Sequence, residues 1–342
     1  MKYQAIGPSG FGTYEVEWVS GSPVFTESSG SADGILAPGL VDIHIHGAFG
    51  IDFMSATAAE MVQLASRLRE LGYEAFLPTT ITATPSDIAS ALSNLPEHEM
   101  MWGFHLEGPF ISELHPGAQP VSSITTPGSE WDSILDDPRL RVITLAPERV
   151  GVLPLISRLS SRGVAVSMGH SDATYEQAMA GFKAGATHVT HTFNAMRGFH
   201  HREAGLAGFA MIENGVYAEL IYDRIHVSEP SASLLVRSKP VDKLVAVSDS
   251  SRATGLPSGQ HITMWGHDCV TTPGQVRLAS NGALAGSAIT LKDAFQNLAA
   301  DFGVETAIRA CCLSPRLSIG ETREPKVWLE FSNGLELREV KH

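Results

Sequence analysis

Short apolar runs alternate with segments of helical periodicity along most of the chain, beginning near Ala37. Continuous apolar runs of this kind are typical of parallel strands that are covered on both faces. Eight candidate strands are predicted, at residues 40–46, 75–80, 101–107, 141–146, 164–170, 187–192, 216–222 and 244–249. Helical segments separate many of them, with capping boxes at Thr57 and Thr174 and with Pro85 at a first helical position. Repeated βα units favour an α/β fold with a closed, TIM-like (β/α)8 barrel over an open doubly wound sheet.

Both ends of the chain have a different pattern. Residues 1–36 alternate weakly and are rich in Gly and Ser, which predicts short antiparallel strands. The tail carries two apolar runs separated by Asn333-Gly334, a sequence that favours a β-hairpin. Residues 258–283 predict a further hairpin excursion, and helices are expected near 289–302 and 306–312. We therefore predict a small β-sandwich domain from residues 1–36 and 316–342, joined to a barrel at 37–315.

Composition narrows the class of protein. The formal net charge of −13 argues against nucleic acid and anionic membranes as partners, although a local basic pocket still permits an anionic small substrate. The N-terminal residues lack the apolar core of a signal peptide, and no run is long enough for a membrane span. The three cysteines, Cys269, Cys311 and Cys312, make a poor disulfide set. These features predict a cytoplasmic protein.

Metal-binding side chains occur at the ends of the predicted strands, where the active site of a (β/α)8 barrel is built. They are His44, His46, Glu107, His170, His191 and Asp249. His44 and His46 lie two residues apart, so both imidazoles point to the same face of their strand. Imidazole and carboxylate suit Zn²⁺ or Fe²⁺, which can activate water and polarise a carbonyl group. The set predicts a metal-dependent hydrolase in which Asp249 transfers the proton.

The remaining histidines have simpler explanations, and a single His is more often structural than a ligand. His105 and His188 lie within predicted strands, so we expect core histidines with satisfied hydrogen bonds. Seven others fall in loops, in the excursion or in the tail and are expected on the surface: His98, His115, His200, His201, His261, His267 and His342. The hypothesis of a metal centre therefore rests on the joint pattern at the strand ends.

Five segments carry a family resemblance. They are PGLVDIHIHG at 38–47, HLEGPF at 105–110, GHSDA at 169–173, HTFNAM at 191–196 and LAGS at 284–287. The first resembles the opening of the amidohydrolase superfamily, and all five in this order are similar to its N-acetylglucosamine-6-phosphate deacetylases. The resemblance covers the chain from about Ala37 to Pro315. It implies hydrolysis of N-acetyl-D-glucosamine 6-phosphate to D-glucosamine 6-phosphate and acetate, a step of amino-sugar catabolism.

The resemblance also implies roles for the metal-type residues. Glu107, His170 and His191 would bind the principal divalent ion, and His44 and His46 would support a second ion with Glu107 between the two. Some members of the family use a single ion. Zinc is the first expectation for the metal, with iron, cobalt and manganese as alternatives. Asp249 would be the catalytic acid and base.

Substrate-binding residues follow from the same resemblance. They are expected to be Ala118, Gln119, Asn194, Ala195, Arg202, Asp223, Arg224, His226, Leu284, Ala285 and Gly286. Arg202 matches an arginine that reaches the phosphate in a neighbouring subunit, which implies a homodimer with composite sites. A planar guanidinium suits a phosphate because it offers a fork of donors.

Three departures from the family pattern keep alternatives open. Gln119 stands where a His is usual, Arg224 replaces the Gly that usually follows the Asp, and the tail motif is degraded from Gly320 onwards. Another N-acylated hexosamine phosphate, such as N-acetylgalactosamine 6-phosphate, is therefore the alternative substrate. A catalytically silent barrel with a binding or regulatory role is the alternative from a different class. It would be expected to lose Asp249 or a metal ligand, and none is lost.

Overall fold

A computed structural model describes all 342 residues of the chain. Its strands, in chain order, are β1 (Lys2–Gly7), β2 (Gly10–Val19), β3 (Ser22–Glu27), β4 (Gly34–Pro38), β5 (Leu40–Ile45), β6 (Gly47–Ala48), β7 (Ile51–Asp52), β8 (Tyr73–Pro78), β9 (Phe104–Glu107), β10 (Leu140–Leu145), β11 (Ala165–Met168), β12 (His188–Val189), β13 (Tyr217–Ile221), β14 (Leu244–Val247), β15 (His261–Met264), β16 (His267–Thr272), β17 (Gln275–Leu278), β18 (Leu284–Ser287), β19 (Trp328–Ser332) and β20 (Leu337–Lys341).

The α-helices are α1 (Ala58–Glu70), α2 (Pro85–Ser93), α3 (Asp132–Leu135), α4 (Val152–Ser160), α5 (Tyr175–Ala184), α6 (Gly205–Ile212), α7 (Glu229–Ser238), α8 (Leu291–Phe302), α9 (Val304–Ile308) and α10 (Ser314–Ser318). Short 3₁₀ turns lie at Val121–Ser123, Ser129–Trp131 and Val241–Lys243, and a π-helical stretch at Arg309–Leu313 joins α9 to α10. No helix in the fold combines the length and the apolar character that crossing a membrane requires.

Eight parallel strands close into the predicted barrel. Strands β9 to β14 form one parallel sheet in chain order, and β5 pairs with β8. Parallel bridges between Thr79 and His105 and between Ile45 and Ser250 join the two groups at both seams. Six of the eight barrel strands are shorter than predicted, especially β12, where only His188–Val189 is extended, whereas β8 and β10 keep their predicted length. The shortening removes His170, His191 and Asp249 from the strands and leaves them in the loops that follow.

The local signals explain where the barrel helices start. Thr57 and Thr174 both cap their helices through the two reciprocal hydrogen bonds of a capping box. Pro85 occupies the first turn of α2, where its missing N–H costs nothing. The buried residues of α1, which include Met61, Leu64 and Leu68, repeat at helical spacing and pack against the barrel.

The two chain ends meet in one small β domain, as predicted. Its strand order is β20-β19-β4-β1-β2-β3, so the C-terminal hairpin pairs with the N-terminal strands through β4. The six strands are hydrogen-bonded into a single sheet, which packs near α9. The excursion after the eighth barrel strand is a four-stranded antiparallel sheet, β15 to β18, rather than a simple hairpin.

The two core histidines differ. His105 is fully buried and bonded at both ring nitrogens, to the Ile43 carbonyl at 3.0 Å and to Thr144 Oγ1 at 2.8 Å. His188 bonds only through Nδ1, to Thr187 Oγ1, and its buried Nε2 has no partner. The expectation of satisfied hydrogen bonds is therefore correct for His105 and wrong for His188. Burial lowers the pKa of His188 to about 4, so this ring stays neutral at physiological pH.

Candidate metal centre and active-site cleft

Five of the predicted metal-type side chains converge at the C-terminal end of the barrel. They form two groups that could each hold an ion, one of His44, His46 and Glu107, the other of Glu107, His170 and His191. All five are buried, with residue exposures between 0% and 5%. Glu107 belongs to both groups, because its Oε1 lies 3.1 Å from His170 Nε2 and its Oε2 lies 3.3 Å from His46 Nε2.

The spacing within these groups fits the coordination of a metal ion. The Nε2 atoms of His170 and His191 are 3.1 Å apart, and those of His44 and His46 are 3.3 Å apart. Zinc–nitrogen bonds of about 2.0–2.1 Å in tetrahedral geometry place neighbouring ligands about 3.3 Å apart. Imidazole nitrogens and a carboxylate are also the donors that such an ion prefers. The residues present therefore fit a divalent metal.

Asp249 lies beside the first group. Its Oδ1 is 3.2 Å from His46 Nε2 and 3.4 Å from His44 Nε2. The backbone N–H of Asp249 donates to the His44 carbonyl at 2.9 Å, which holds the loop after β14 against β5. The carboxylate therefore lies next to the candidate metal position and lines the cleft above it.

The buried charges stabilise one another. Burial raises the pKa of Glu107, but the charges of His44 and His170 outweigh this effect, so its pKa lies well below the usual range. Burial also raises the pKa of Asp249. The hydrogen bond with His46 and the charges of His44 and His46 outweigh this effect and lower its pKa to about 2. In return the two carboxylates raise the pKa of His46 to about 9 against the effect of burial. The cluster thus attracts positive charge, whether as protons or as a metal cation.

Three of these residues have left-handed backbone conformations. The φ angles are +48° at His170, +29° at His191 and +47° at Asp249, each two residues beyond the last residue of a barrel strand. A non-glycine residue in this region costs on the order of 1–3 kcal/mol, and such strain is concentrated at functional sites. The sharp turn at each strand end aims the side chain across the mouth of the barrel.

A cleft of about 150 Å³ opens above the metal-type side chains. Most of the predicted substrate-binding residues line it: Ala118, Gln119, Asn194, Ala195, His226, Leu284 and Gly286. Four others do not line it, namely Arg202, Asp223, Arg224 and Ala285. Asp223 instead supports His226, since its Oδ2 accepts a hydrogen bond from His226 Nδ1 at 2.6 Å. The Nε2 atom of His226 is the ring nitrogen left for another partner.

Gln119 contacts the metal-type cluster directly. Its side-chain amide donates to Glu107 Oε2 at 2.5 Å, while its Oε1 accepts from the Thr82 backbone N–H at 2.7 Å. Gln119 is only 4% exposed, and the two hydrogen bonds fix the position of its side chain. It therefore orients the shared carboxylate as well as lining the cleft.

Neither of the two arginines that were expected near a phosphate lines the cleft of its own subunit. Arg224 makes a bidentate pair with Asp301 on α8, at 2.7 and 2.8 Å, which occupies its guanidinium. Arg202 is exposed on the loop between β12 and α6, where its Nη1 approaches His201. Phe199 on the same loop is 58% exposed, so an apolar side chain lies on the surface near this arginine.

Sequence reasoning missed two neighbours of the cluster. Trp265, in the turn between β15 and β16, lines the cleft, with its ring 5.1 Å from that of His46 and its Nε1 donating to Asp52. Glu219, fully buried on β13, lies 3.5 Å from His44 Nδ1. Trp265 follows the last barrel strand outside any motif, so no spacing marked it. Glu219 interrupts an otherwise apolar strand, which is the one signal that pointed to it.

A larger cleft, of about 300 Å³, lies at the opposite end of the barrel. Residues at the N-terminal ends of strands line it, including Tyr73, Glu74 and Trp102. None of the candidate metal groups reaches it. Because barrel active sites are built at the C-terminal ends of strands, the smaller cleft is the better candidate.

Comparison with known proteins gives a consistent result. Residues 35–320 match the model of the amidohydrolase family. The chain is 38% identical to the N-acetylglucosamine-6-phosphate deacetylase of Bacillus subtilis over 290 residues, which covers 81% of this chain and 72% of that protein. It is 34% identical to the N-acetylgalactosamine-6-phosphate deacetylase of Escherichia coli O157:H7, covering 84% and 78% of the two chains.

The fold also matches solved structures. A variant of N-acetyl-D-glucosamine-6-phosphate deacetylase from Mycobacterium smegmatis, in complex with N-acetyl-D-glucosamine 6-phosphate, superposes with a TM-score of 0.88. The identity is 29%, and the match covers 97% of this chain and 93% of the other. The TIM-like barrel with a small terminal β domain is therefore confirmed.

Proposed function

The chain belongs to the amidohydrolase family, and we propose that it hydrolyses N-acetyl-D-glucosamine 6-phosphate to D-glucosamine 6-phosphate and acetate. The observation that carries this function is the convergence of Glu107, His170, His191 and Asp249 at the floor of one cleft. The N-acetylglucosamine-6-phosphate deacetylase of Bacillus subtilis is more similar to this chain than the N-acetylgalactosamine-6-phosphate deacetylase, at 38% against 34% identity. This difference favours the glucosamine substrate over its epimer.

The residues of this chain divide the chemistry between them. Glu107, His170 and His191 would hold a divalent ion, with His44 and His46 supporting a second, and such an ion supplies a Lewis acid at the acetyl carbonyl. Asp249 accepts a proton from the attacking water and delivers it to the leaving nitrogen. General acid–base catalysis of this kind requires a carboxylate within hydrogen-bond reach of both atoms, and Asp249 borders the metal position.

The metal is zinc in this proposal, with one or two ions per subunit and with iron, cobalt or manganese as alternatives. Nitrogen and carboxylate ligands in four-coordinate spacing support zinc. Metal analysis of the protein purified without chelators tests both identity and number.

The sugar is held by side chains and backbone above the metal-type cluster. We assign this role to Asn194, Ala195, Leu284, Gly286 and His226, all of which line the cleft. Asp223 acts through His226, because their 2.6 Å hydrogen bond leaves Nε2 for the substrate. Ala118 and Gln119 close another side, while Ala285 packs behind the lining residues.

Arg202 is assigned to the phosphate of a neighbouring subunit in a homodimer. Two observations support an arginine from outside the subunit. Arg202 is exposed on a loop beside an exposed Phe199, and no arginine of the same chain lines the cleft. Arg224 is the weaker candidate for this contact because Asp301 already pairs with its guanidinium.

Acetate release from a substrate panel tests the function. The panel is N-acetylglucosamine 6-phosphate, N-acetylgalactosamine 6-phosphate and unphosphorylated N-acetylglucosamine, each with metal-replete and chelated protein. We expect the highest kcat/KM for the first sugar and loss of turnover on chelation. Equal or greater kcat/KM for the galactosamine substrate would assign the alternative, and turnover unaffected by chelation would contradict the metal-dependent mechanism.

Mixing subunits tests the composite site. Inactive Asp249→Asn subunits are combined with Arg202→Ala subunits under conditions that exchange partners. A mixed dimer then contains one site with both Asp249 and the partner's arginine, so activity on the phosphorylated sugar should rise. Heterodimers that regain no activity would place the phosphate contact within one subunit.

The cytoplasm is the proposed compartment, which the three unpaired cysteines support.

A further inference from the structure

Glu219 is a carboxylate in the barrel interior, below the metal-type cluster. Its exposure is 0%, and it does not line the cleft, so it cannot touch the substrate. Its Oε2 lies 3.5 Å from His44 Nδ1 and accepts from the His191 backbone N–H at 3.3 Å. Its Oε1 lies 3.5 Å from Ser167 Oγ. Neither the proposed proton transfer nor the proposed substrate contacts use this charge.

A polar layer surrounds this carboxylate. Ser167 Oγ lies 2.5 Å from Thr190 Oγ1, which in turn lies 2.8 Å from Thr144 Oγ1. Barrel interiors are usually filled by branched apolar side chains, so a connected run of hydroxyl groups here is unusual. The layer provides hydrogen bonds around a position where an isolated carboxylate would be costly.

The outer contacts of the ligand histidines differ. A metal-binding His normally donates its other ring N–H to a carbonyl or a carboxylate, which sets the tautomer and the ring orientation. His46 Nδ1 contacts the Thr79 carbonyl at 3.2 Å, and His170 Nδ1 contacts the His115 carbonyl at 2.9 Å. His44 Nδ1 has no partner at hydrogen-bond geometry, and Glu219 Oε2 is the acceptor that faces it. A separation of 3.5 Å is that of an ion pair rather than of a well-formed hydrogen bond.

The Glu219 carboxylate lies closer to a histidine ring nitrogen of the first metal group, formed by His44, His46 and Glu107, than to any histidine ring nitrogen of the second. Glu219 faces a ring nitrogen of His44, whereas it reaches His191 only through the backbone N–H. A negative charge behind an imidazole makes that imidazole a stronger ligand. We propose that Glu219 is a positioning residue that holds His44 with Nε2 towards the metal and selectively strengthens binding of an ion by His44, His46 and Glu107. This inference rests on the metal-binding part of the proposed function.

Zinc titration of the full-length protein tests the proposal without measuring turnover. Metal-free protein competes with a chromophoric chelator, which gives a dissociation constant for each ion. Glu219→Gln should weaken the binding of one of the two ions by about 10–100-fold, the usual effect of losing a hydrogen-bond partner behind a metal ligand. The dissociation constant of the other ion should change by less than about threefold. Ser167→Ala is the control, because it alters the same polar layer but keeps the carboxylate. It should leave both dissociation constants near the wild-type values.

His44→Asn identifies which ion is affected. If Glu219 acts through His44, the double variant should bind the weakened ion no worse than His44→Asn alone. Additive losses, equal weakening of both ions, or unchanged constants in Glu219→Gln would overturn the proposal. So would a wild-type protein that binds only one zinc ion at saturation.

Glu219→Asp covers the case in which the glutamine variant does not fold. It keeps the charge but withdraws it by one methylene, so selective weakening of the same ion is again expected. Unchanged zinc constants in this variant would then overturn the proposal. A wild-type protein that binds no zinc and no other divalent metal would instead contradict the proposed function itself.

Discussion

Replacing Asp249 by Asn removes the proposed proton carrier while preserving the shape of the side chain. The residue is 8% exposed, so an isosteric change leaves no cavity and no new clash. Its carboxylate contacts His44 and His46 but neither His170 nor His191, so an ion held by Glu107, His170 and His191 should remain. General acid–base catalysis contributes about 10²–10⁴-fold. We therefore expect kcat to fall at least about 100-fold, which corresponds to about 2.7 kcal/mol of transition-state stabilisation.

The assay is acetate release from N-acetylglucosamine 6-phosphate, with metal content and substrate affinity measured on the same preparation. Asp52→Asn is the matched control, because Asp52 is also a buried aspartate near His46, at 6% exposure, yet it does not line the cleft. The control should lose less than about fivefold in kcat, well short of the acid–base contribution. Near-normal turnover in a metal-replete Asp249→Asn protein would remove Asp249 from the mechanism.

Three further predictions concern the metal and the stability of the fold. Glu107→Gln should lower metal content and activity together, while His44→Asn should cost less activity if one ion suffices; unchanged metal in the former would refute the ligand assignment. The ion pair of Arg316 and Glu74 is buried at 3.0 Å, so Arg316→Met should lower the free energy of unfolding by about 3–5 kcal/mol in urea titrations. A loss of less than about 1 kcal/mol in the free energy of unfolding would show that the Glu74 carboxylate is not left buried and unpaired. Because burial lowers the pKa of His188 to about 4, the unfolded chain binds a proton between pH 6.5 and 4 that the folded chain does not. The free energy of unfolding should therefore fall as the pH drops below 6.5. On going from neutral pH to pH 5, the wild-type protein should lose about 2 kcal/mol more than His188→Gln. Equal pH slopes of the two proteins would contradict this origin.

Much of the fold was predictable because its signals are local. The alternation of apolar runs and helical periodicity indicated eight βα units, and the capping boxes at Thr57 and Thr174 begin helices where predicted. The strand ends were less accurate. His191 was placed near the end of a strand, but it lies after β12 with a φ of +29°, and the sharp turn there brings its imidazole beside His170 and Glu107.

The candidate site was predictable in its composition but not in its contacts. Parallel strands of a barrel all end at the same rim, so histidines and carboxylates at strand ends had to lie near one another. The pairing of Arg224 with Asp301 joins residues 77 positions apart, and nothing in the sequence marked Asp301. That contact occupies the guanidinium that sequence reasoning had offered to the phosphate.

The sequence by itself determined the barrel, the terminal β domain and the set of metal-type side chains at the strand ends, since each depends on periodicity or on position within a βα unit. Only the tertiary structure decided which groups touch. Gln119 reaches Glu107 Oε2, and Glu219 faces His44 from a strand 175 positions later, with no motif announcing either contact. The physical reason is that such contacts depend on how strands are staggered and how side chains are packed inside a closed barrel. These relations link distant parts of the chain and have no local periodicity.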